Sequence, residues 1–291
     1  MTGERICIVI TVFGRQGMLD GQVAFLDKHL DPALGVDLIV YDDGSPEPMV
    51  LPPTRHPARL LRGAENLGLV GARNAVFRRI LDSHDYVVVL DDDIRLYNVD
   101  AAIAHGIALL GQGFGVVSFP YIDLPVVQGA RIAQFRRLLP VRRGSSGCFF
   151  AGCSIMPVRV LKEIGLFEAT YRFALEEEDY SLRLYAAGVP TTMLLGERVL
   201  ALHDHAAGKD HAARAALLLS NRFLYHRKFI TSRVLRTALN GAYAAMYSWK
   251  RRSFGVVGEA RTRYLALRGS IVPQAIPAPV VLGFLWRRYL A

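Results

Sequence analysis

Three short apolar stretches, separated by segments of helical periodicity, constrain this chain more than any other feature. Ile6 to Val12 is an apolar run with β-branched bias, long enough for a buried strand. Residues 18–30 then place Leu19, Val23, Leu26 and Leu30 at spacings of four and three, the pattern of an amphipathic helix. Val36 to Tyr41 reads as a second buried strand, residues 70–82 as a helix, and Tyr86 to Leu90 as a third strand. Strands of this kind, alternating with helices at this pace, imply parallel βαβ units buried on both faces. The expected class is α/β, with a mixed, mainly parallel sheet flanked by helices.

Two of the strands end in acid. Asp42-Asp43-Gly44-Ser45-Pro46 stops the second and Asp91-Asp92-Asp93 the third. Ligands of open α/β sheets bind beyond the carboxyl ends of the strands, so both clusters are expected to face one crevice. Three adjacent carboxylates repel one another unless a cation neutralises them. Mg2+ and Mn2+ prefer oxygen ligands, and Mg2+ typically binds through one or two carboxylates plus substrate phosphates. A near-extended segment would aim Asp91 and Asp93 one way and Asp92 the other. The competing reading is a solvated, helix-capping turn. At residues 42–45 a carboxylate could accept a hydrogen bond from a base or ribose. An Asx-turn closed by Asp and Gly is the alternative there.

A third element is Asn66-Leu67-Gly68-Leu69-Val70-Gly71-Ala72-Arg73-Asn74. Its two glycines let backbone approach a ligand, and a helix begins around Val70–Ala72. Arg73, near that helix start, could meet a diphosphate or the face of a base.

In this order and spacing, the two acidic turns and the Asn66-x-Gly68-x-x-Gly71-x-Arg73-Asn74 segment resemble glycosyltransferase family 2, whose fold is GT-A. The likeness continues through Gly152 to Pro157, similar to the acceptor-side strand, and Gly165-Leu166-Phe167-Glu168, similar to the family's Gly-Gly-Phe-Asp. Glu176-Glu177-Glu178-Asp179-Tyr180-Ser181-Leu182-Arg183 resembles its Glu-Asp-x-Asp-Leu-x-x-Arg helix. Asn221-Arg222, followed by Lys228, resembles a further segment of the bacterial polysaccharide branch. The resemblance spans about residues 5–230.

It implies an inverting, metal-dependent transfer of a sugar from a nucleotide diphosphate-sugar, UDP- or dTDP-linked first and GDP-linked second. By similarity Asp43 and Arg73 hold the nucleoside, with Asp42, Asn66, Gly71 and Asp92 beside them. Asp91 and Asp93 match the family's Asp-x-Asp and would bind Mn2+ or Mg2+, with His203 or His205 completing the shell. The base that deprotonates the acceptor is expected in the pair Glu176-Glu177, where Glu177 replaces the usual Asp; Glu177 is favoured over Glu176 and Glu178. Asp179 and Arg183, four apart on a helix, read as a structural ion pair. Glu168 replaces an Asp and is expected to bind acceptor or to orient its loop.

The net charge of +9 is uneven. Residues 1–213 hold 21 Lys/Arg against 25 Asp/Glu, whereas residues 214–291 hold 14 Lys/Arg against one acid, Glu259. The expected division is a catalytic domain over 1–212 and a helical, basic C-terminal region over 213–291. Because that region is also rich in apolar and aromatic residues, an anionic membrane surface suits it better than nucleic acid. The other reading is a helical subdomain packed on the core or at a homo-oligomer interface. Ile271 to Trp286 is apolar but only 16 residues long, with three prolines. A spanning helix needs roughly 20 apolar residues, so this stretch is expected to lie on a membrane or against a partner.

Glu4 and Arg5 before the first strand, and three cysteines without metal-finger spacing, favour a cytoplasmic site, peripheral at the inner face of the membrane. The acceptor is then expected to be a glycan or lipid-linked precursor. The alternatives are a sugar-1-phosphate nucleotidyltransferase and a non-catalytic nucleotide-sugar-binding protein on the same fold. Selectivity for the sugar is expected from the basic excursion between Pro120 and Gly147.

Overall fold

The computed structural model describes residues 3–119, 121–123, 149–194, 200–203 and 211–289. The 120–147 excursion therefore lies almost wholly outside the described residues, as does His205. Strands β1 (Ile6–Val12), β2 (Asp37–Asp42), β3 (Ala58–Arg62) and β4 (Tyr86–Leu90) form a parallel set, with Ile8 opposite Leu38 and Val12 opposite Asp42. With β6 (Val116–Ser118), β8 (Cys153–Pro157) and β9 (Thr191–Met193) they make a seven-stranded sheet of order β3-β2-β1-β4-β8-β6-β9. Only β8 runs against the others. A second sheet joins β5 (Ile94–Tyr97), β10 (Leu200–His203) and β7 (Tyr121–Asp123) in the order β5-β10-β7.

Period-two alternation divides the main sheet between two cores. Ile6, Ile8, Ile10 and Val12 of β1 pack with α1 (Gln16–His29) and α3 (Val99–Gly111) through Leu19, Val23, Leu26 and Ile103. Cys7 and Val9 pack on the opposite side, with Val76 and Phe77 of α2 (Gly68–Ile80), Leu161 of α4 (Val158–Ile164) and Tyr180 of α5 (Glu176–Ala186). Each such side chain contributes about 1.5–3 kcal/mol relative to exposure. Burial on both faces is why these strands read as near-continuous apolar runs. β3 is an edge strand whose residues are only partly buried or exposed, and it carries no such run.

The chain after residue 210 is helical: α6 (His211–Phe229), α7 (Arg233–Arg251), α8 (Gly255–Leu267) and α9 (Ala278–Tyr289). The apolar stretch expected to lie on a membrane or against a partner does something else. Its Ile271, Ile276, Val281 and Phe284 bury against Tyr171, Leu182 of α5, and Leu224 and Phe229 of α6. The segment before α9 is non-helical and carries Pro273 and Pro277, so spaced apolar side chains reach the core individually. Among the described residues no helix is long and apolar enough to cross a membrane.

Candidate active site

The carboxyl ends of β1, β2 and β4 open into a cavity of about 820 Å³. Asp43, Asn66, Arg73, Asp91, Asp92, Asp93, Glu176, Glu177 and His203 all line it, although they lie as much as 160 residues apart in sequence. Asp42 and Gly71 do not line it. Asp42 accepts hydrogen bonds from the amides of Ser45 (2.8 Å) and Met49 (3.2 Å) and pairs with Arg62, so it closes the β2 turn. A Cβ at Gly71 would stand 2.6 Å from the Leu67 Cβ, which makes it a packing glycine of the first turn of α2. Neither borders the cavity as a nucleotide contact would: Asp42 is turned into its own loop, and Gly71 packs against Leu67.

Asp43 accepts from the amides of Leu67 and Gly68, both at 2.9 Å, and so fixes the loop that leads into α2. Gly68 has φ +78°, and a Cβ there would meet the Arg172 carbonyl oxygen at 2.8 Å. Burial raises the Asp43 carboxyl above the usual range, against the two amide donors and Arg172. Asn66 Oδ1 accepts from Gly68 N and from Arg172 Nη2.

Arg73 is buried in the cavity wall, with both terminal nitrogens of its guanidinium on carboxylates. Nη2 donates to Asp91 Oδ1 (2.5 Å) and Nη1 to Glu176 Oε1 (3.2 Å). Burial alone would lower its pKa, but Asp91 and Glu176 outweigh that and raise it. Glu176 itself is raised by burial, with Arg73 opposing, and its Oε2 has no partner among the described residues. Asp91 fits only because residue 152 is glycine: a Cβ there would stand 2.2 Å from Asp91 Oδ2.

The triple-Asp segment is a turn, closed by Ile94 N donating to Asp91 O (3.1 Å), not an extended strand end. This corrects the expected orientation. Asp92 is not aimed away from Asp93; Arg15 joins the two, with Nη1 3.0 Å from Asp92 Oδ1 and Nη2 3.3 Å from Asp93 Oδ2. Burial pushes Asp92 up to about 7. Asp93 stays below the usual carboxylate range despite its burial, because His203 and Arg15 hold it there. His203 Nε2 lies 3.5 Å from Asp93 Oδ1.

Among the described residues no three His, Cys, Asp or Glu side chains form a metal cage. The donor set nevertheless fits a hard divalent cation: carboxylate oxygens and one imidazole border a cavity, and a cation already stabilises them. A metal that also takes substrate phosphates needs no more than one or two protein carboxylates.

Glu177 sits in the first turn of α5, where Oε1 accepts from Ala151 N (2.9 Å). Burial raises its pKa to about 8, Glu176 adding to the shift and Ala151 N and Arg73 opposing it. Glu178 instead forms a two-point ion pair with Arg222 of α6 (2.5 and 2.8 Å). Asp179 bonds Arg183 Nε (2.8 Å), Lys228 Nζ (2.7 Å) and Tyr171 Oη, a structural pair extended into a network. Glu168 accepts from Thr170 and meets Lys228 at 3.0 Å, so it orients the loop before α5. The sequence reading missed Arg15, Phe13, Phe173, Arg214 and Arg263 as cavity residues. The first two follow β1 directly, and the strand-end rule applied to Asp42–Asp43 would have found them.

The match to the family model "Glycosyl transferase family 2" covers residues 7–165, more than half the chain. No curated protein sequence matches significantly. Three solved structures share the fold. A mannosyltransferase from Pyrobaculum calidifontis in complex with GDP-Man and Mn2+ has TM-score 0.57 at 13% identity, over 96% of this chain and 79% of that one. TarS of S. aureus, residues 1–349 with UDP-GlcNAc, has TM-score 0.55 at 10% identity, over 97% and 81%. GalNAc-T7 with UDP, GalNAc and Mn2+ has TM-score 0.62 at 12% identity, and there 98% of this chain spans only 56% of that one. The mixed sheet with one reversed strand, the acidic turns at its carboxyl edge and the family match converge: the chain belongs to glycosyl transferase family 2 and has the GT-A fold.

Proposed function

We propose that this glycosyltransferase moves a sugar, with inversion, from a nucleotide diphosphate-sugar to a glycan or lipid-linked acceptor, with Mn2+ or Mg2+ on the donor diphosphate. The observation that carries the reading is the convergence of Asp43, the Arg73–Asp91 pair, Asp93 with His203, and Glu177 on one cavity. Asp43 and Asn66 border the loop that would receive the nucleoside. Asp93 and His203 would hold the metal, with Asp91 beside them, and a bound metal would neutralise charge developing on the leaving diphosphate. Glu177 would take the proton of the acceptor hydroxyl; its raised pKa suits a general base working near neutral pH. Glu176 serves Arg73, and Glu178 belongs to the α6 contact, which leaves Glu177 as the acid of the three best suited to this role.

A UDP- or dTDP-sugar is the first donor to test and a GDP-sugar the second; the comparison structures carry both UDP- and GDP-linked ligands. The enzyme would meet its acceptor at an anionic membrane surface, held there through α7. Calorimetric titration with UDP, dTDP, GDP and ADP, with and without Mn2+, tests the donor site. One nucleotide should bind in a metal-dependent way, and Asp93→Ala should lose that dependence. Binding of no diphosphate under either condition would sink the proposed donor chemistry.

A further inference from the structure

Arg15 pairs with two of the three carboxylates of the triple-Asp turn, Asp92 and Asp93, while Arg73 holds Asp91. Asp92 and Asp93 are buried, and burying two adjacent carboxylates without a cation is costly. The Arg15 guanidinium bridges them: Nη1 reaches both Asp92 Oδ1 (3.0 Å) and Asp93 Oδ2 (3.3 Å), and Nη2 reaches Asp93 Oδ2 (3.3 Å). Its side chain is one-third exposed and lines the cavity, so it has room to move. The backbone of Arg15 is fixed independently, its carbonyl accepting from Met18 and Leu19 at the start of α1. The acidic turn has its own anchor too, since Arg95 Nη1 donates to the Asp92 carbonyl (2.8 Å). Removing the Arg15 side chain therefore leaves both backbones held and takes away one tethered charge.

We propose that Arg15 is a resident counter-cation, seated on Asp92 and Asp93, that competes with the divalent metal for Asp93 and must leave it for the metal to bind. This rests on the reading of Asp93 as a metal ligand. A guanidinium released into this cavity meets the donor diphosphate, whose oxygens match its fork of donors. Nucleotide binding would then draw Arg15 off the carboxylates and strengthen metal binding. By linkage the metal strengthens nucleotide binding by the same factor. Metal alone would bind weakly, so the site loads only when the donor is present.

The test measures Mn2+ binding by the loss of its free-ion EPR signal beyond that in matched protein-free samples, for wild type, Arg15→Gln and Arg15→Lys, alone and with whichever nucleoside diphosphate binds. Thermal melts on the same samples follow folding. Arg15→Gln should bind Mn2+ alone about tenfold more tightly than wild type, the ordinary scale for removing one charge-assisted competitor. Its melting temperature should rise more on Mn2+ addition. Arg15→Lys, which keeps the charge, should stay near wild type. The gain in Mn2+ affinity caused by nucleotide should be smaller in Arg15→Gln. Unchanged or weaker Mn2+ binding by Arg15→Gln alone, with wild type binding Mn2+ in the presence of nucleotide, overturns the proposal and spares the metal reading. Absence of Mn2+ binding in every sample removes both. If Arg15→Gln is unfolded without metal, refolding on Mn2+ supports the competition, and failure to refold counts against it.

Discussion

At the scale of the residue, Glu177 has the most direct consequence. Its carboxyl titrates at about 8 because burial and the neighbouring Glu176 both disfavour the charge. A base must be ionised to accept a proton, so single-turnover transfer should rise nearly tenfold per pH unit below that value and level off above it. Glu177→Gln should keep the bond from Ala151 N, bind donor as wild type does, and lose about 10²–10⁴-fold in rate. Stability should move with pH as well. The folded protein holds this proton up to about 8, whereas an ordinary glutamate releases it near 4.5, so the stabilisation is complete below 4.5 and lost as pH rises through 8. Glu177→Gln should therefore melt above wild type at pH 8, with the difference closing toward pH 4.5. Positions on the cavity were legible where a motif fell at a strand end or helix start: Asp43, Asp91, Asp93, Glu177. They were illegible where a local partner decides the matter. Arg62 claims Asp42, and a turn rather than a strand end sets Asp92 beside Asp93, neither of which spacing reveals.

At the scale of the element, α6 braces one edge of the cavity although it follows the sheet in sequence. The segment entering α5 holds three non-glycine residues at positive φ, Arg172 (58°), Ala174 (62°) and Leu175 (68°). Such conformations cost of order 1–3 kcal/mol each and persist only when their surroundings enforce them. Asn221 does so from α6, with Nδ2 donating to the carbonyls of Tyr171 (3.0 Å), Phe173 (2.8 Å) and Ala174 (3.2 Å). Arg222 and Lys228 of the same helix hold Glu178, and Glu168 with Asp179. Asn221→Ala should cost about 1–3 kcal/mol in denaturant unfolding, the scale for leaving buried acceptors unmet. It should also lower kcat, because the loop leads into the turn that carries Glu177, and weaken donor binding, because Arg172 of the same loop holds Asn66. A fall in donor affinity with kcat unchanged would contradict that assignment. The first strands and helices were readable because β1, β2 and β4 are buried on both faces. The three-residue strands β6 and β9 and the small second sheet were not, since so few residues carry no periodicity. The three-carbonyl grip of Asn221 joins residues about 50 apart, a pairing no local pattern announces.

For the whole molecule, charge and apolar surface are distributed together. The 14 Lys/Arg and single acid of residues 214–291 stand against an acidic body. Within that region α7 has no buried residue. Tyr243, Ala244 and Tyr247 pack toward Leu219 and Phe223 of α6 and Ala260 of α8. Val234, Leu235, Met246 and Trp249 are exposed, and at 100° per residue they share about a third of the helix circumference. Trp249 and, in the following turn, Phe254 are each 87% exposed, with Lys250, Arg251 and Arg252 between them. Large aromatics beside cations suit the interface of an anionic bilayer, where each Lys or Arg near the surface contributes about 1 kcal/mol and the rings insert. Co-sedimentation with vesicles should separate the two contributions. Binding to phosphatidylglycerol-containing vesicles should exceed binding to pure phosphatidylcholine and weaken as salt rises, because surface charges are screened within about 10 Å at 0.1 M. Trp249→Ser with Phe254→Ser should reduce partitioning by tenfold or more while leaving the melting temperature within a degree or two, since neither side chain packs on the fold. A self-associating face would behave differently: the double variant would shift the sedimentation profile of the free protein, and wild type would ignore vesicle charge. Preference for anionic vesicles that disappears in the double variant would put the catalytic cavity next to a leaflet, where a lipid-linked acceptor could reach Glu177 without leaving the membrane.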